Sequence, residues 1–373
     1  MVLLIGNYAP DKQQSMQRFS TMMFEGLQLA GVPAELIRPE PVLGNFRAGG
    51  GFLAKWLGYV DKFLLFPMQL KRKLRARPTL VHICDHSNAM YARRVRDIPV
   101  LITCHDMLAV RGGLGEETDT PASVTGKILQ RWILAGLRRA DVIACDSRAT
   151  EDDAERLVRR GGEMPKLTVI TLGLSYPYRQ LAPGEARHRL RVAGFSAGEY
   201  AIHVGSNLRR KNREAVLRIF ARCAKQWPGS LVFAGDRLND SLRTEADKLG
   251  ITDRIIEVPQ PPNELLEALY NCATILLYPS RFEGFGWPII EAQACGCPVI
   301  TTAAEPMMEV GGDGALFHSV DDEEGFACDL LRLTNAGERA TWSAKALENA
   351  RRFTQQRMID DYRDLYQSMA KLC

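Results

Sequence analysis

Ser280-Arg-Phe-Glu-Gly-Phe-Gly-Trp-Pro-Ile-Ile-Glu-Ala-Gln-Ala-Cys-Gly-Cys-Pro-Val-Ile300 decides the reading of this chain. An apolar run from Thr274 to Leu277 predicts a strand, which leads into a glycine-rich turn, Glu283-Gly-Phe-Gly286. Pro288 follows at a position suited to a first helical turn, where its missing N–H would have no partner in any case. A glycine loop feeding a helix N-terminus presents unpaired backbone N–H groups and a positive dipole end, the means by which proteins hold phosphates. Glu283 and Glu291 bracket the turn with seven residues between them. An ionised carboxylate accepts two good O–H hydrogen bonds, so acids beside a phosphate loop suit sugar hydroxyls. Phosphate flanked by sugars describes a nucleotide sugar.

Around this stretch the chain reads as two α/β domains. Its 373 residues suffice for two cores. Short apolar strands are expected at Val2–Gly6, Leu80–Cys84, Val100–Thr103, Asp141–Ala144 and Leu167–Ile170, with helical patterns such as Ser15–Ala30 and Lys127–Arg139 between them. The rhythm restarts at Tyr200–Val204, Leu231–Phe233, Ile255–Glu257, Thr274–Leu277 and Val299–Thr301, with helices such as Arg213–Gln226 and Glu264–Asn271. Turn formers from Tyr176-Pro-Tyr to Pro183-Gly184 mark a linker, and Ala336–Ala350 and Thr354–Lys371 close the chain as helices. Such a pair of doubly wound domains leaves a cleft in which ligands sit.

The strand Tyr200–Val204 runs into Gly205-Ser-Asn-Leu-Arg-Arg-Lys-Asn212, which sets basic side chains at the carboxyl end of a strand, well placed to neutralise a diphosphate. No G-x-G-x-x-G follows the first strand, where the chain reads Gly6-Asn-Tyr-Ala-Pro-Asp-Lys-Gln, and this argues against a nicotinamide or flavin site.

The Glu-seven-residues-Glu stretch resembles the motif of the family 4 retaining glycosyltransferases, and the likeness extends over most of the chain. It implies a GT-B type fold: α/β, two facing Rossmann-like domains with a deep interdomain cleft, and a C-terminal helix crossing back to the first domain. The corresponding boundaries are an acceptor-side domain over 1–180, a nucleotide-sugar-binding domain over 181–352 and the returning helix over 353–373. The implied activity is transfer of one sugar from a UDP- or GDP-sugar to an unidentified acceptor, with retention. An epimerase or hydrolase on the same fold, or a non-catalytic nucleotide-sugar-binding protein, are the alternatives.

By the same resemblance, Lys211 corresponds to the lysine of the phosphate-clamp loop, and with His105 and Glu283 it forms the expected catalytic set. Donor contacts fall on Gly205, Ser206, Arg210, Lys211, Val258, Glu283, Gly284, Phe285, Gly286 and Glu291. Glu283 meets the transferred sugar, Glu291 the ribose, and the base lies near Glu257-Val258-Pro259. Ser206 stands where many members carry an arginine, and Arg209 or Arg210, preferably Arg210, is its substitute. Thr103-Cys-His105-Asp106 resembles the family's His-Asp pair, whose histidine meets the donor sugar. A packed structural histidine, and a turn or helix cap for Asp106, are the alternatives. Acceptor contacts are expected at Asn7, Tyr8, Asp85, His86 and Asp106. The first turn lacks the family's paired glycines.

Composition restricts the rest. No secretory leader or membrane-spanning run is apparent, and nine scattered cysteines argue for free thiols in a reducing compartment. A cytoplasmic protein, peripheral at most on the inner membrane face, is therefore expected. The formal net charge is +4, yet residues up to about 182 carry roughly seven more basic than acidic groups, a bias that suits an anionic partner but matches no nucleic-acid module. No Asp-any-Asp triplet is present and Cys295-Gly-Cys297 has no second pair nearby, so neither a metal nor any other cofactor is expected. Phe46–Arg77 combines Gly49-Gly50-Gly51, Phe52, Trp56, Tyr59, Phe63 and Phe66 with Lys71-Arg72-Lys73 and Arg75. That segment either packs an aromatic face on the sheet or meets an anionic membrane.

Overall fold

Wholly parallel sheets need cover on both faces, and the strands here accordingly read as continuous apolar runs. The computed structural model describes residues 1–11, 13–43, 57–159, 164–196 and 198–370. The chain divides into two compact units, one of residues 1–175 with 355–373, the other of residues 176–354.

In the first unit β1 (Val2–Ile5), β2 (Ala34–Ile37), β3 (Leu80–Ile83), β4 (Val100–Cys104), β5 (Val142–Cys145) and β6 (Lys166–Val169) form a sheet in the order β2-β1-β3-β4-β5-β6. Every pairing is parallel, for example Leu3 against Val81 and Ile102 against Ile143. In the second unit β7 (Tyr200–Gly205), β8 (Ser230–Gly235), β9 (Ile255–Pro259), β10 (Ile275–Tyr278), β11 (Val299–Thr302) and β12 (Ala315–His318) run in the order β12-β11-β10-β7-β8-β9, again all parallel. Both units have the doubly wound α/β fold expected from the sequence. Two strands went unread, β2 and β12. Each is four residues long and lies at a sheet edge, where most of its side chains are only half-buried, so neither carries the apolar run that marks an interior strand.

Strand order places the sites. It reverses between β1 and β3 in the first sheet and between β7 and β10 in the second. At such a point the connections depart to opposite faces and leave a crevice at the strands' carboxyl ends.

The last helix, Gln355–Ala370, belongs to the first unit, in line with the expected return of the chain. It is pinned by a buried polar chain. His82 Nδ1 lies 2.7 Å from Tyr366 Oη and its Nε2 2.8 Å from Thr103 Oγ1, which in turn lies 2.8 Å from Tyr362 Oη. Burial pushes the His82 imidazole down to about 3, so the ring is neutral and its two nitrogens divide the donor and acceptor roles. Tyr366→Phe should strand His82 Nδ1 and cost about 1–3 kcal/mol. Calorimetry should show this as a lowered melting temperature of the unfolding transition, and an unchanged transition would mean that the bond contributes nothing net.

Part of the Phe46–Arg77 segment, residues 46–56, lies outside the described residues, including Gly49, Phe52 and Trp56. Beyond it, Phe66 is buried and its ring lies 4.8 Å from that of Tyr91, while Phe63 stacks 5.2 Å from Trp132. These two aromatics therefore pack inward.

Candidate active site

The second unit's crevice is lined by two loops. After β7 the chain runs from Gly205 through a single turn at Arg209–Lys211 to Asn212, whose left-handed backbone (φ 52°) starts the helix Arg213–Cys223. Asn212 Nδ2 donates to Pro279 O at 2.9 Å and Arg281 N donates to Arg210 O at 2.7 Å, so the β7 loop is stitched to the loop after β10. Arg213 fixes the other side. Its fully buried guanidinium donates to Gly205 O at 2.5 Å, Asp236 O at 2.8 Å and Asn207 Oδ1 at 2.8 Å. Gly235 makes this approach possible, since a Cβ there would stand 2.2 Å from Gly205 O.

Three expected residues meet here. Glu283 Oε1 accepts from Lys211 Nζ at 2.6 Å and from Tyr278 Oη at 2.8 Å, and Glu283 Oε2 accepts from Arg210 Nη1 at 2.5 Å. Arg210 also donates to Phe282 O at 3.1 Å. Burial alone would raise the Glu283 carboxyl, but Lys211 and Arg210 outweigh it and hold the group at about 2. The site thus contains an ionised, almost fully buried acid clamped by two cations.

Gly286 lies at φ 105°, a left-handed conformation suited to glycine, and starts the helix Trp287–Ala294 with Pro288 in its first turn. Glu291, on that helix, is buried and accepts from Tyr270 Oη at 3.0 Å. Phe285 is buried against Phe353 with ring centroids 5.8 Å apart, and Gly284 lies half-buried beside it. Ser206 sits half-buried at the head of the β7 loop. Val258 lies apart, on edge strand β9, in register with Ala234. The neighbouring Glu257 carboxylate turns to Leu238 N, 2.8 Å away, and to Arg243.

The first unit's crevice holds a polar cluster. Asn7, just after β1, donates through Nδ2 to Asp85 Oδ2, just after β3, bridging the reversal point. Asp85 also accepts from Ser87 N at 3.0 Å and from Ser87 Oγ at 2.5 Å. Burial works against its ionisation, yet His86, His105 and Ser87 prevail and the group is held low. The buried His86 Nδ1 lies 3.2 Å from Asp85 Oδ1, and among the described residues it, Asn7 Oδ1 and Asn88 Nδ2 are buried with no hydrogen-bond partner. Tyr8 turns away: it is buried and donates to Asp61 Oδ2 at 2.8 Å. Asp106 accepts from Leu108 N at 3.0 Å, two residues on, which is the local turn the sequence left open rather than a helix cap.

His105 is buried, with Nδ1 2.6 Å from Asp146 Oδ2 and Nε2 2.9 Å from Cys84 O. Cys84 O can only accept, and burial raises the Asp146 carboxyl while His105 lowers it; with the ionised Asp146 accepting from Nδ1, both nitrogens carry protons and the ring is an imidazolium. Desolvation opposes this charge, but Asp146 and Asp85 overcome it and raise the group to about 9. As it stands, His105 has neither nitrogen turned to a sugar.

The sequence reading missed Tyr278, Tyr270, Arg213 and Asp146. Tyr278 and Asp146 lie one and two residues beyond the strands Thr274–Leu277 and Asp141–Ala144 as read, and strand carboxyl ends were the available signal. Arg213 follows the clamp loop and reads as an ordinary helix start.

Residues 191–351 match the family model for glycosyl transferases group 1, and residues 27–174 match the model for glycosyltransferase family 4. The chain belongs to the family 4 glycosyltransferases. A D-inositol 3-phosphate glycosyltransferase from Acidothermus cellulolyticus is 28% identical over 289 residues, 72% of this chain and 62% of that protein. An O-antigen chain mannosyltransferase B from Escherichia coli is 28% identical over 196 residues, 51% of each. The matches thus span less than two thirds of these relatives. Among solved structures, sucrose-phosphate synthase from Thermosynechococcus elongatus superposes with a TM-score of 0.76 at 19% identity, covering 100% of this chain and 99% of the other. HepE from Anabaena, solved with UDP and glucose, does so with a TM-score of 0.75 at 16% identity, covering 98% and 99%. The fold is accordingly of the GT-B type.

Replacing His105 by Gln tests the imidazolium. A group raised from 6.5 to about 9 on folding contributes fully below pH 6.5 and loses that contribution as the pH climbs through 9. The contribution is on the order of 3 kcal/mol. Melting temperatures of wild type and His105→Gln should therefore lie furthest apart below pH 6.5 and converge by about pH 9.5; a constant gap would mean an uncharged ring.

Proposed function

We propose that this chain is a retaining glycosyltransferase that moves one sugar from a nucleoside-diphosphate sugar to a hydroxyl-bearing acceptor. The observation that carries the reading is the Lys211–Glu283–Arg210 cluster at the β7/β10 reversal, beside the glycine turn. A nucleotide donor is further supported by the UDP bound in the Anabaena neighbour.

The two cations neutralise the diphosphate, together with backbone N–H groups of Phe285 and Gly286. Charge develops on the phosphate oxygen as the glycosidic bond breaks, and preorganised donors at such an oxygen are worth about 10²–10³ in rate each. The bond's electrons pass to that oxygen, the acceptor oxygen bonds to the same face of the sugar, and its proton moves to the departing phosphate. Glu283 has a double part. Without donor its carboxylate occupies both cations; when the diphosphate takes them, it is released to accept hydrogen bonds from the sugar. Glu291 holds the ribose hydroxyls, and backbone near Val258 holds the base. Asn7, Asp85 and His86 are assigned to the acceptor, because Asn7 Oδ1, His86 Nδ1 and the neighbouring Asn88 Nδ2, buried with no hydrogen-bond partner among the described residues, lie at a strand-order reversal and suit a polyol. His86 and then His105 hold Asp85 ionised in that cluster, and reaching a sugar hydroxyl would require His105 to leave Cys84 O.

Glu283→Gln separates these parts. Donor turnover, read as nucleoside diphosphate release from a panel of UDP-, GDP- and ADP-sugars, should fall by about 10²–10³. Affinity for the free nucleoside diphosphate should hold or rise by about tenfold, since the cations then meet phosphate uncontested. Unchanged turnover would remove Glu283 from the reaction. Weakened nucleotide binding would mean the carboxylate does not compete with phosphate.

One observation favours an acceptor at a membrane surface. Leu64 and Met68 are 64% and 69% exposed, and Val124 and Ile128 are 76% and 63% exposed on the helix Val124–Leu137. The two segments meet where the Phe63 ring lies tilted against Trp132, and Lys71, Arg72, Arg75, Lys127 and Arg131, on or next to the same helices, are exposed. An apolar stripe edged by cations matches an anionic bilayer. No helix among the described residues is long and apolar enough to cross one. The protein should pellet with phosphatidylglycerol vesicles and not with phosphatidylcholine, and Met68→Glu with Ile128→Glu should abolish this; equal recovery with both lipids would refute the assignment.

A further inference from the structure

Each glutamate of the motif has a buried tyrosine behind it. Tyr278, the last residue of β10, has no exposed surface, and its Oη lies 2.6 Å from Lys211 Nζ and 2.8 Å from Glu283 Oε1. Lys211 has protons only to give and the ionised Glu283 can only accept, so the phenol receives from Lys211 and donates to Glu283. The ring cannot turn away. His203 stacks on it with centroids 6.0 Å apart, and the Tyr278 carbonyl accepts from Thr301 Oγ1 at 2.9 Å. Tyr270, on the helix Asn263–Cys272, is equally enclosed, lies edge-on to Tyr178 at 6.0 Å and donates to Glu291 Oε2 at 3.0 Å.

Resting on the roles proposed above for the two acids, we infer that Tyr278 and Tyr270 are positioning residues. Tyr278 keeps Glu283 aimed at the transferred sugar, and Tyr270 keeps Glu291 aimed at the ribose. The argument is one of exchange. When a diphosphate takes Lys211 and Arg210, Glu283 loses both charged partners at once. Tyr278 is the neutral donor that phosphate does not attract, and it remains to hold one carboxylate oxygen while the other meets the sugar. Glu291 projects from a helix turn, and its Oε2 bond to Tyr270 selects one rotation of the carboxylate for the vicinal hydroxyls of a ribose. Burial, followed by the adjacent acids, pushes both phenols well above their ordinary range, so both remain protonated donors wherever the fold is intact.

Phenylalanine removes only the hydroxyl, and a role in packing alone would move all constants together or none. Tyr270→Phe should weaken the affinity for UDP or GDP, whichever binds wild type by calorimetry, about tenfold, with nucleoside diphosphate release at saturating donor within about twofold. Tyr278→Phe should show the reverse: affinity within about threefold and saturated release lowered about ten- to a hundredfold. Melting temperatures of both variants serve as the control for folding. Parallel losses in both constants, or no change in either, would overturn the inference. Glu291→Ala and Glu283→Gln run beside them. If these lose nucleotide affinity and turnover respectively while the tyrosine variants do not, the inference alone fails. If the glutamate variants are also unaffected, or neither nucleotide binds, the assigned function falls with it.

Discussion

Where a parallel sheet reverses its strand order, two neighbouring strands send their connections to opposite faces, and the carboxyl ends between them stay uncovered. Both sheets of this chain have one such point, and the polar clusters gather there. Asn7 and Asp85 stand on β1 and β3 ends in the first unit; Lys211 and Glu283 stand on β7 and β10 ends in the second. Elsewhere the strands carry apolar side chains into two cores covered by helices. Polar chemistry is admitted where topology leaves a gap, and apolar packing fills the rest.

A gap alone does not hold side chains in place. In the second unit rigidity comes from backbone groups captured by buried side chains. Arg213 binds two carbonyls of the strand ends, Asn212 binds the carbonyl of Pro279, and Gly235 lets β8 come close to β7. In the first unit the same task falls on His82, Thr103, Tyr362 and Tyr366, which tie the final helix to β3 and β4. Each solves one problem: a buried polar group is tolerated only when hydrogen-bonded, and one that is bonded to a distant element fixes that element's position.

This division explains what could be read in advance. Interior strands such as Val100–Cys104 announce themselves as apolar runs, and the Glu283–Glu291 stretch carries glycines, proline and acids in a spacing that only a strand–turn–helix accommodates. Edge strands β2 and β12 lack that signal because half-burial permits mixed residues. Partners were harder still. Nothing local to Tyr278 indicates that its hydroxyl meets Lys211, 67 residues away, and nothing near His105 points to Asp146, 41 residues on. Arg210 and Glu283 were expected only as contacts of one ligand, and their direct pairing was not legible. His105 is the instructive case: its strand-end position was legible, but the two acceptors that make it a cation belong to other strands.

The energetics of the Lys211–Glu283–Arg210 cluster give the arrangement its direction. Burying ions costs several kcal/mol each, and a buried pair roughly breaks even against well-packed apolar residues, so such a cluster is a poor device for stability alone. Its worth lies in having three charges already desolvated and already aimed. A diphosphate entering an unprepared apolar crevice would have to bring its counter-charges with it. Here the cations are in place with Glu283 as their anion, and under the proposed function a diphosphate would replace it. Such an exchange of carboxylate for phosphate would leave the number of buried cations unchanged, so donor binding would not meet their desolvation afresh. In the role proposed for it, the released carboxylate would then be an acceptor without a cation, facing the hydroxyl donors of the sugar. An acid that is merely near the sugar would lack this coupling. In the proposed reaction, the short bonds of Glu283 to both cations are therefore what would join the phosphate half of the site to its sugar half.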